Sequence, residues 1–312
     1  MSKNFESLLS QLRGMETKKV AVAVAQDEPV LEAIRAAKER GIADAILVGN
    51  VSLIEEIAKK IGMDLNQFEI ISEDDDKKAA LLAVELVSTG KADMVMKGLL
   101  DTATFLRSVL NKEVGLRTGN LMSHVSVFEI DGIDRLILLT DAAFNTYPDV
   151  EAKAKIIENA VMVAHACGLE MPKVAPVCAV EVVNPNMPAT IDAQKLSDMN
   201  RDGQIEGCIV SGPLALDNAI SEEAAHHKNI DGPVAGKADV LLLPNIETAN
   251  VMYKCLTYTA KTINGGILVG TSAPVVLTSR ADSFETKVNS IALAALVANK
   301  NQKSRSRETI TV

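Results

Sequence analysis

The chain has 312 residues, more than one hydrophobic core usually organises, so two lobes are expected. Hydrophobic residues at 47% and charged residues at 23% describe an ordinary globular protein and exclude a disordered one. A net charge of −9 excludes broad binding to nucleic acid or to an anionic membrane, so any polyanionic ligand must be met by a local basic cluster.

At the N-terminus, Phe5, Leu8, Leu9 and Leu12 follow helical spacing, which predicts an amphipathic helix rather than a secretory leader. The buried run Lys19 to Ala25 predicts a strand, and Glu28 to Arg40 a helix ended by Gly41. The pattern repeats as strand 45–48, helix 51–61, strand 68–71, helix 75–88 and strand 92–96. Strands alternating with helices of ~10–15 residues mean βαβ units and a mainly parallel sheet. Aromatics are only 3% with no Trp, so Val, Ile, Leu, Ala and Met must build the core, as suits helices on parallel strands.

Lys97-Gly98 leaves the fourth strand, and the segment that follows opens a helix running to Leu110. Ser123 to Ile130 and Arg135 to Thr140 flank Asp131-Gly132, which reads as a hairpin. Asp141 to Pro148 breaks the alternation and marks a crossing between lobes. Beyond it come helix Val150 to Cys167, strand Val174 to Val180, a helix around Asp192 to Met199 and strand Glu206 to Val210. The last leads into Ser211-Gly212-Pro213; strand Val240 to Leu243 leads into Pro244-Asn245 and a helix carrying Asn250, Tyr253 and Lys254. Gly265-Gly266 reads as a turn. The final strand, Ile267 to Val269, is followed by Gly270 to Asp282 and a helix from Ser283 to Asn299, and the polar tail from Asn301 is expected to fray.

Familiar signatures are missing: there is no GxGxxG after a strand, no GxxxxGK[ST], no HExxH and no GxSxG. His226 and His227 are adjacent on a helix and point in different directions, so no metal site is expected. Cys167, Cys178, Cys208 and Cys255 lack CxxC spacing and read as thiols of a reducing compartment, which with the absence of an ~18-residue apolar run predicts a soluble cytoplasmic protein.

The most informative stretch is Thr278-Ser279-Arg280. A Ser-Arg pair at the first turn of a helix suits an anion, because free N–H groups, the helix dipole and a two-pronged guanidinium all favour negative charge there. The same stretch also reads as a plain helix start, with Asp282 as cap and Glu285 closing a capping box. Lys97-Gly98, Ser211-Gly212-Pro213 and Pro244-Asn245 each follow a strand, and ligands of open α/β sheets collect beyond the carboxyl ends of strands. Gathered at one sheet edge or one cleft with Thr278-Ser279-Arg280, they make a polar binding site.

Several of these segments carry a resemblance. Gly90-Lys91-Ala92-Asp93, Met96-Lys97-Gly98, Thr102-Ala103, Ser211-Gly212-Pro213-Leu214, Pro244-Asn245 with Asn250, Tyr253 and Lys254, and Gly270 through Pro274 to Leu277-Thr278-Ser279-Arg280 resemble the phosphate acetyl/butyryl transferase family, in order from Lys18 to Asn299. The compact chain looks closest to the butyryltransferase branch. The resemblance implies two α/β/α lobes with mainly parallel sheets around a cleft, like the isocitrate/isopropylmalate dehydrogenases. It implies a first lobe of residues 1–140 completed by 276–312, and a second lobe of 141–275.

The implied reaction moves an acyl group reversibly between coenzyme A and phosphate through a ternary complex. Coenzyme A is then a substrate rather than a cofactor, acyl-CoA and acyl phosphate are the partners, and a homodimer or higher homo-oligomer is expected, with the helix Val150 to Cys167 a candidate interface. Ser279 matches the family serine that hydrogen-bonds developing negative charge, Arg280 the arginine beside it, and Arg107 a basic position that binds phosphate or coenzyme A. Donors aimed at an oxyanion and substrates held in line supply such catalysis. Where the acetyltransferase branch has an acid seven positions after its serine, this chain has Thr286, which leaves Asp282 and Glu285 as alternative bases. Lys97, Gly98, Thr278, Ser211, Gly212, Pro213, Asn245, Asn250 and Lys254 are the substrate-binding candidates. Competing readings are phosphate acetyltransferase, a metal- and NAD-dependent dehydrogenase, whose aspartate cluster is not found, and a non-catalytic two-lobed binding protein.

Overall fold

Runs of Val, Ala, Ile and Leu too apolar to face water on either side form parallel strands, and the amphipathic stretches between them form the covering helices. The computed structural model describes residues 4–279 and 282–310, with side chains described as far as 302. In chain order the first elements are α1 (Phe5–Leu12), β1 (Lys18–Ala23), α2 (Glu28–Glu39), β2 (Ala43–Gly49), α3 (Val51–Ile61), β3 (Glu69–Ser72), α4 (Asp76–Ser88), β4 (Met94–Lys97) and α5 (Thr102–Val109). Next come β5 (Ser123–Ile130), β6 (Ile137–Thr140), α6 (Val150–Ala166), β7 (Lys173–Cys178), α7 (Pro188–Arg201), β8 (Ile209–Val210), β9 (Leu214–Ala215), α8 (Leu216–Ile220), α9 (Glu222–His227), β10 (Val240–Leu242) and α10 (Ile246–Thr259). The chain ends with β11 (Thr262–Val269), β12 (Val275–Val276) and α11 (Phe284–Ile310). It divides into two compact units, one built on Leu121–Asn264 and the other on Phe5–Asn120 with Gly265 onward.

In the unit of Phe5–Asn120 and Gly265 onward, β3, β2, β1, β4 and β12 lie side by side and all pair parallel, while β12 also pairs antiparallel with β11. Four helices start where an acid or amide just past a strand or turn can cap them. Asp27, Asn50, Asp75 and Asp101 precede α2, α3, α4 and α5, and each side chain accepts an N–H of the first turn. Gly265 and Gly266 belong to β11 and are not a turn. A methyl on Gly265 would come within 2.9 Å of the Asn289 carbonyl carbon and the Ser290 nitrogen, and the Gly266 N–H donates to Ser290 Oγ at 3.0 Å. The glycines let α11 lie directly on the strand. The polar stretch from Asn301, expected to fray, is described as a continuation of α11 as far as Ile310.

In the unit of Leu121–Asn264 the order is β5-β6-β10-β7-β8, with β9 also beside β7. The β5–β6 pair is antiparallel, as the Asp131-Gly132 hairpin predicts, and the others are parallel. Phe128, Ile137, Leu139, Ala175, Leu214 and Leu241 form its core. The apolar face of α6, expected as an interface, is spent inside this unit, where Ile156, Ile157, Ala160, Val163 and Ala164 are fully buried. Conversely, α10 buries only Ala249 among its fourteen residues and leaves Val251 and Tyr258 exposed.

Candidate active site

The carboxyl ends of β1, β4 and β12 meet at one edge of their sheet, and the turns leaving them form the site. Beyond β1, Val24 takes a left-handed conformation (φ 58°), a costly choice for a β-branched residue. With the chain turned there, the Ala23 and Val24 carbonyls accept the N–H groups of Gly98 and Leu99, both at 2.8 Å. A methyl on Gly98 would overlap the Val24 carbonyl oxygen and come within 2.6 Å of the Ala23 oxygen, so only glycine lets β4 leave its strand this close to β1.

A cavity of about 130 Å³ opens at this edge, lined by Asp27, Pro29, Val30, Lys97, Gly98, Thr278, Ser279 and Lys287. Four of these eight, Lys97, Gly98, Thr278 and Ser279, are legible as candidates from sequence. Lys97 is buried and its Nζ donates to the carbonyls of Gly98 and Leu100 at 3.2 and 3.1 Å, so part of its work is to hold its own turn. Thr278 is buried and Ser279 is exposed at the mouth. Arg280 lies outside the described residues. On either side of it, the Ser279 N–H donates to Asp282 Oδ2 at 2.6 Å and the Asp282 N–H returns to the Ser279 carbonyl at 3.2 Å.

The start of α11 differs from the expected capping box. Ser283, rather than Asp282, offers its side-chain oxygen to the Thr286 N–H at 3.1 Å. Glu285 is committed elsewhere. Both its oxygens accept from Arg40, each at 2.8 Å, and it stands outside the cavity lining. The Arg40 guanidinium holds the Glu285 carboxyl below the usual carboxylate range. Of the two acids considered as bases, Asp282 therefore stays beside Ser279 and Glu285 does not. Arg107 sits exposed on α5, also outside the lining.

Sequence reasoning missed Asp27 and Lys287. Asp27 caps α2, its Oδ1 accepting the Val30 N–H at 3.2 Å, and faces the cavity as it does so. Lys287 is 3% exposed, and its Nζ donates to the carbonyls of Asp282 at 2.6 Å and Ser279 at 3.3 Å. Burial pulls its ammonium below the usual lysine range, while the charges of Asp282 and Asp27 pull it back up. The signal for it was present: Lys287 lies on one helical stripe with Ile291, Ala294 and Ala298, a lone charge on an apolar face.

The remaining candidates belong to the unit of Leu121–Asn264 and follow its strands. The Ser211 N–H donates to the Val174 carbonyl at 3.1 Å and the Gly212 N–H to Ser197 Oγ at 3.0 Å, which anchors Ser211-Gly212-Pro213 to β7 and α7. Asn245 caps α10 by accepting the Thr248 N–H at 3.0 Å, and Asn250 Nδ2 donates to the Ala142 carbonyl at 3.0 Å. Lys254 is exposed on α10, whereas Tyr253 packs edge-on against Phe128 at 5.5 Å between ring centroids. Among the described residues, no group of three or more His, Cys, Asp or Glu side chains is placed to hold a metal ion.

With this geometry in place, comparison with known proteins is direct. The family described as Phosphate acetyl/butaryl transferase matches residues 4–80 and 73–295. The chain is 70% identical over 302 residues to the phosphate butyryltransferase of Clostridium beijerinckii, covering 97% of this chain and all of that protein. It is 47% identical to the phosphate acetyltransferase of Thermotoga maritima, covering 94% and 99%. Among solved structures, a branched-chain phosphotransacylase from Enterococcus faecalis superposes with a TM-score of 0.81 at 34% identity, covering 90% of this chain and 99% of the other.

Proposed function

This chain belongs to the phosphate acetyl/butyryl transferase family, and from that premise we propose that it moves a short-chain acyl group reversibly between coenzyme A and inorganic phosphate. Butyryl-CoA and phosphate give butyryl phosphate and free coenzyme A. The observation that carries this reading is the 70% identity, held over 97% of the chain, to a phosphate butyryltransferase.

A phosphate oxygen attacks the thioester carbonyl carbon, the C–O bond forms, and the collapsing tetrahedral intermediate expels the coenzyme A sulfur as the C–S bond breaks. The reverse direction begins with the thiolate attacking the acyl phosphate. No covalent acyl-enzyme is required, and the reaction balances with coenzyme A as a substrate and no further cofactor. In this scheme the Ser279 hydroxyl donates to the developing oxyanion, Arg280 and the cationic cavity floor neutralise phosphate, and Thr278 and the Lys97-Gly98 turn shape the floor. A thiol with an ordinary pKa of about 8.5 yields thiolate readily beside cations, so the anion clamp matters more than a strong base. Arg107, the Ser211-Gly212-Pro213 turn, Asn245, Asn250 and Lys254 are assigned to holding the rest of the substrates.

The 47% identity to a phosphate acetyltransferase supports a second reading in which acetyl is the preferred group. One methylene is worth only ~1–3 kcal/mol in a pocket, so chain-length preference rests on small differences in volume. A cytoplasmic location goes with either reading; no helix among the described residues is long and apolar enough to cross a membrane. So does a homodimer or higher homo-oligomer, supported by α10, where Val251 and Tyr258 are 68% and 69% exposed.

The deciding experiment is phosphate-dependent release of free coenzyme A from a panel running from acetyl-CoA to isovaleryl-CoA, without NAD or metal. A maximum at butyryl or branched donors supports the first reading, and a maximum at acetyl the second. Absence of release from every donor would leave a two-lobed binding protein.

A further inference from the structure

Lysine is among the residues least often buried, and Lys287 is buried in a place that disfavours it twice. It is the fourth residue of α11, where the partial positive charge of the helix N-terminus opposes a cation, and burial removes the water that would solvate it. An apolar side chain would continue the stripe of Ile291, Ala294 and Ala298 at no such cost. What the lysine adds is geometry. Its Nζ reaches back across the helix start to the carbonyls of Ser279 and Asp282, the two residues that bracket Arg280, and it lines the cavity that Ser279, Thr278 and Lys97 share. Asp27, from the cap of α2, lines the same cavity and balances part of the charge.

We propose that Lys287 is a positioning residue of the acyl-transfer site: it ties the main chain of Ser279 and of Asp282 to α11, which keeps Ser279 at the cavity it lines, and its ammonium makes the cavity floor a phosphate subsite. This rests on the acyl-transfer reading above. Both bonds run from a single Nζ on α11 to main-chain carbonyls ahead of the helix. A displacement of about 1 Å in such a group costs on the order of a hundredfold in rate.

The test uses the full chain with three variants. Lys287→Met keeps the stem and removes the donors and the charge; Lys287→Arg keeps both; Ser290→Ala removes a bond to the Gly266 N–H one turn away and serves as a purely structural control. With butyryl-CoA and phosphate, Lys287→Met is expected to lose about 30- to 100-fold in kcat. Its KM for phosphate rises severalfold while its KM for butyryl-CoA stays within about twofold, as expected when binding and positioning at one subsite are lost. Lys287→Arg restores a substantial part, and Ser290→Ala keeps kcat near wild type whatever it does to the melting temperature. A wild-type kcat and phosphate KM in Lys287→Met, or an equal loss in Ser290→Ala, overturns the proposal. Should Lys287→Met fail to fold, Lys287→Gln, which retains an N–H donor without the charge, reads the phosphate KM instead. Thermal shift with inorganic phosphate gives a readout free of turnover: wild type is expected to be stabilised and Lys287→Met not. If wild type shows no acyl transfer, the functional reading fails, and the phosphate shift still decides for or against the subsite.

Discussion

Replacing Gly98 by alanine tests the site at its tightest point. The added methyl would overlap the Val24 carbonyl oxygen and approach the Ala23 oxygen to 2.6 Å and the Val24 carbonyl carbon to 2.9 Å. An ordinary carbon–oxygen approach is about 3.3 Å, so the two backbones must separate by roughly 0.7 to 1.2 Å, and no side chain can rotate away to relieve them. The same carbonyls accept the Gly98 and Leu99 N–H groups at 2.8 Å, so both bonds are stretched together. Two such bonds at about 1 kcal/mol each, within the ~1–3 kcal/mol typical of overpacking, set the expected loss of stability at about 2 kcal/mol. Because Lys97 and Gly98 line the cavity, the same movement is expected to lower kcat about a hundredfold. Gly14→Ala is the control, since a methyl there meets nothing within 4 Å and is expected to change stability by less than about 0.5 kcal/mol. Thermal melting and phosphate-dependent coenzyme A release are measured on both. A Gly98→Ala protein that melts with wild type and turns over at the wild-type rate would refute the account of this junction.

Glu285→Gln is expected to keep kcat within about twofold and to cost no more than about 1 kcal/mol, the ceiling for a largely exposed ion pair; a hundredfold loss of kcat would restore Glu285 as the base. Asp239 carries the pH prediction. Burial pushes its carboxyl above the usual carboxylate range, against the Lys173 N–H it accepts at 2.8 Å and the charge of Arg135. The fold therefore favours its protonated form, and that contribution is present below the unfolded value of about 3.9 and lost as pH rises through the raised one. The melting temperature of Asp239→Asn relative to wild type should accordingly climb over that window, and a difference that is flat or falls would contradict it. Finally, burial pushes the thiols of Cys167 up to about 12 and of Cys178 and Cys208 up to about 11, leaving Cys255 exposed. One thiol per native chain should react with a disulfide dye at about pH 7.5, and Cys255→Ser should remove that signal; two or more fast thiols would mean the core opens on the assay timescale.

The alternation of strands and helices was legible because β1, β2 and β4 are apolar over most of their length and α2 to α5 are each announced by Asp or Asn at the cap, as Asp27, Asn50, Asp75 and Asp101. Gly265-Gly266 misled because a glycine pair signals a turn locally, whereas here it answers to a helix that arrives from later in the chain. At the start of the polar tail, Lys18, buried near the start of β1, donates to Gln302, a long-range bond that composition does not announce. Within the site, Lys97, Gly98, Thr278 and Ser279 stood out as residues leaving strands, so a rule about sheet edges finds them. Lys287 lies eight residues beyond Ser279, in the first turn of α11, and reaches back to its carbonyl through the length of its own side chain, which no edge rule sees. Glu285 shows the converse, an acid well placed along the chain whose partner, Arg40, is 245 residues away.

Three local choices that each cost stability meet at one cavity. Val24 adopts a backbone conformation that β-branched residues avoid, at roughly 1–3 kcal/mol. Gly98 gives up a side chain and the order it brings, and Lys287 puts a cation at the wrong end of a helix and out of water. Sequences that fold well agree with themselves at every level, and the exceptions gather where function requires them. Each of these exceptions acts on the same thing. Val24 turns β1 so that its carbonyls can hold the Lys97-Gly98 turn, Gly98 lets that turn approach, and Lys287 holds the carbonyls of Ser279 and Asp282. The cavity lining is thereby held from two sides, by main-chain bonds at Gly98 and by the Lys287 ammonium at Ser279 and Asp282, and for the proposed reaction that is the preorganisation that electrostatic stabilisation of a transition state needs. A chain selected for stability alone would relax all three positions at once, and the first thing lost would be the close approach of the Gly98 turn to the end of β1.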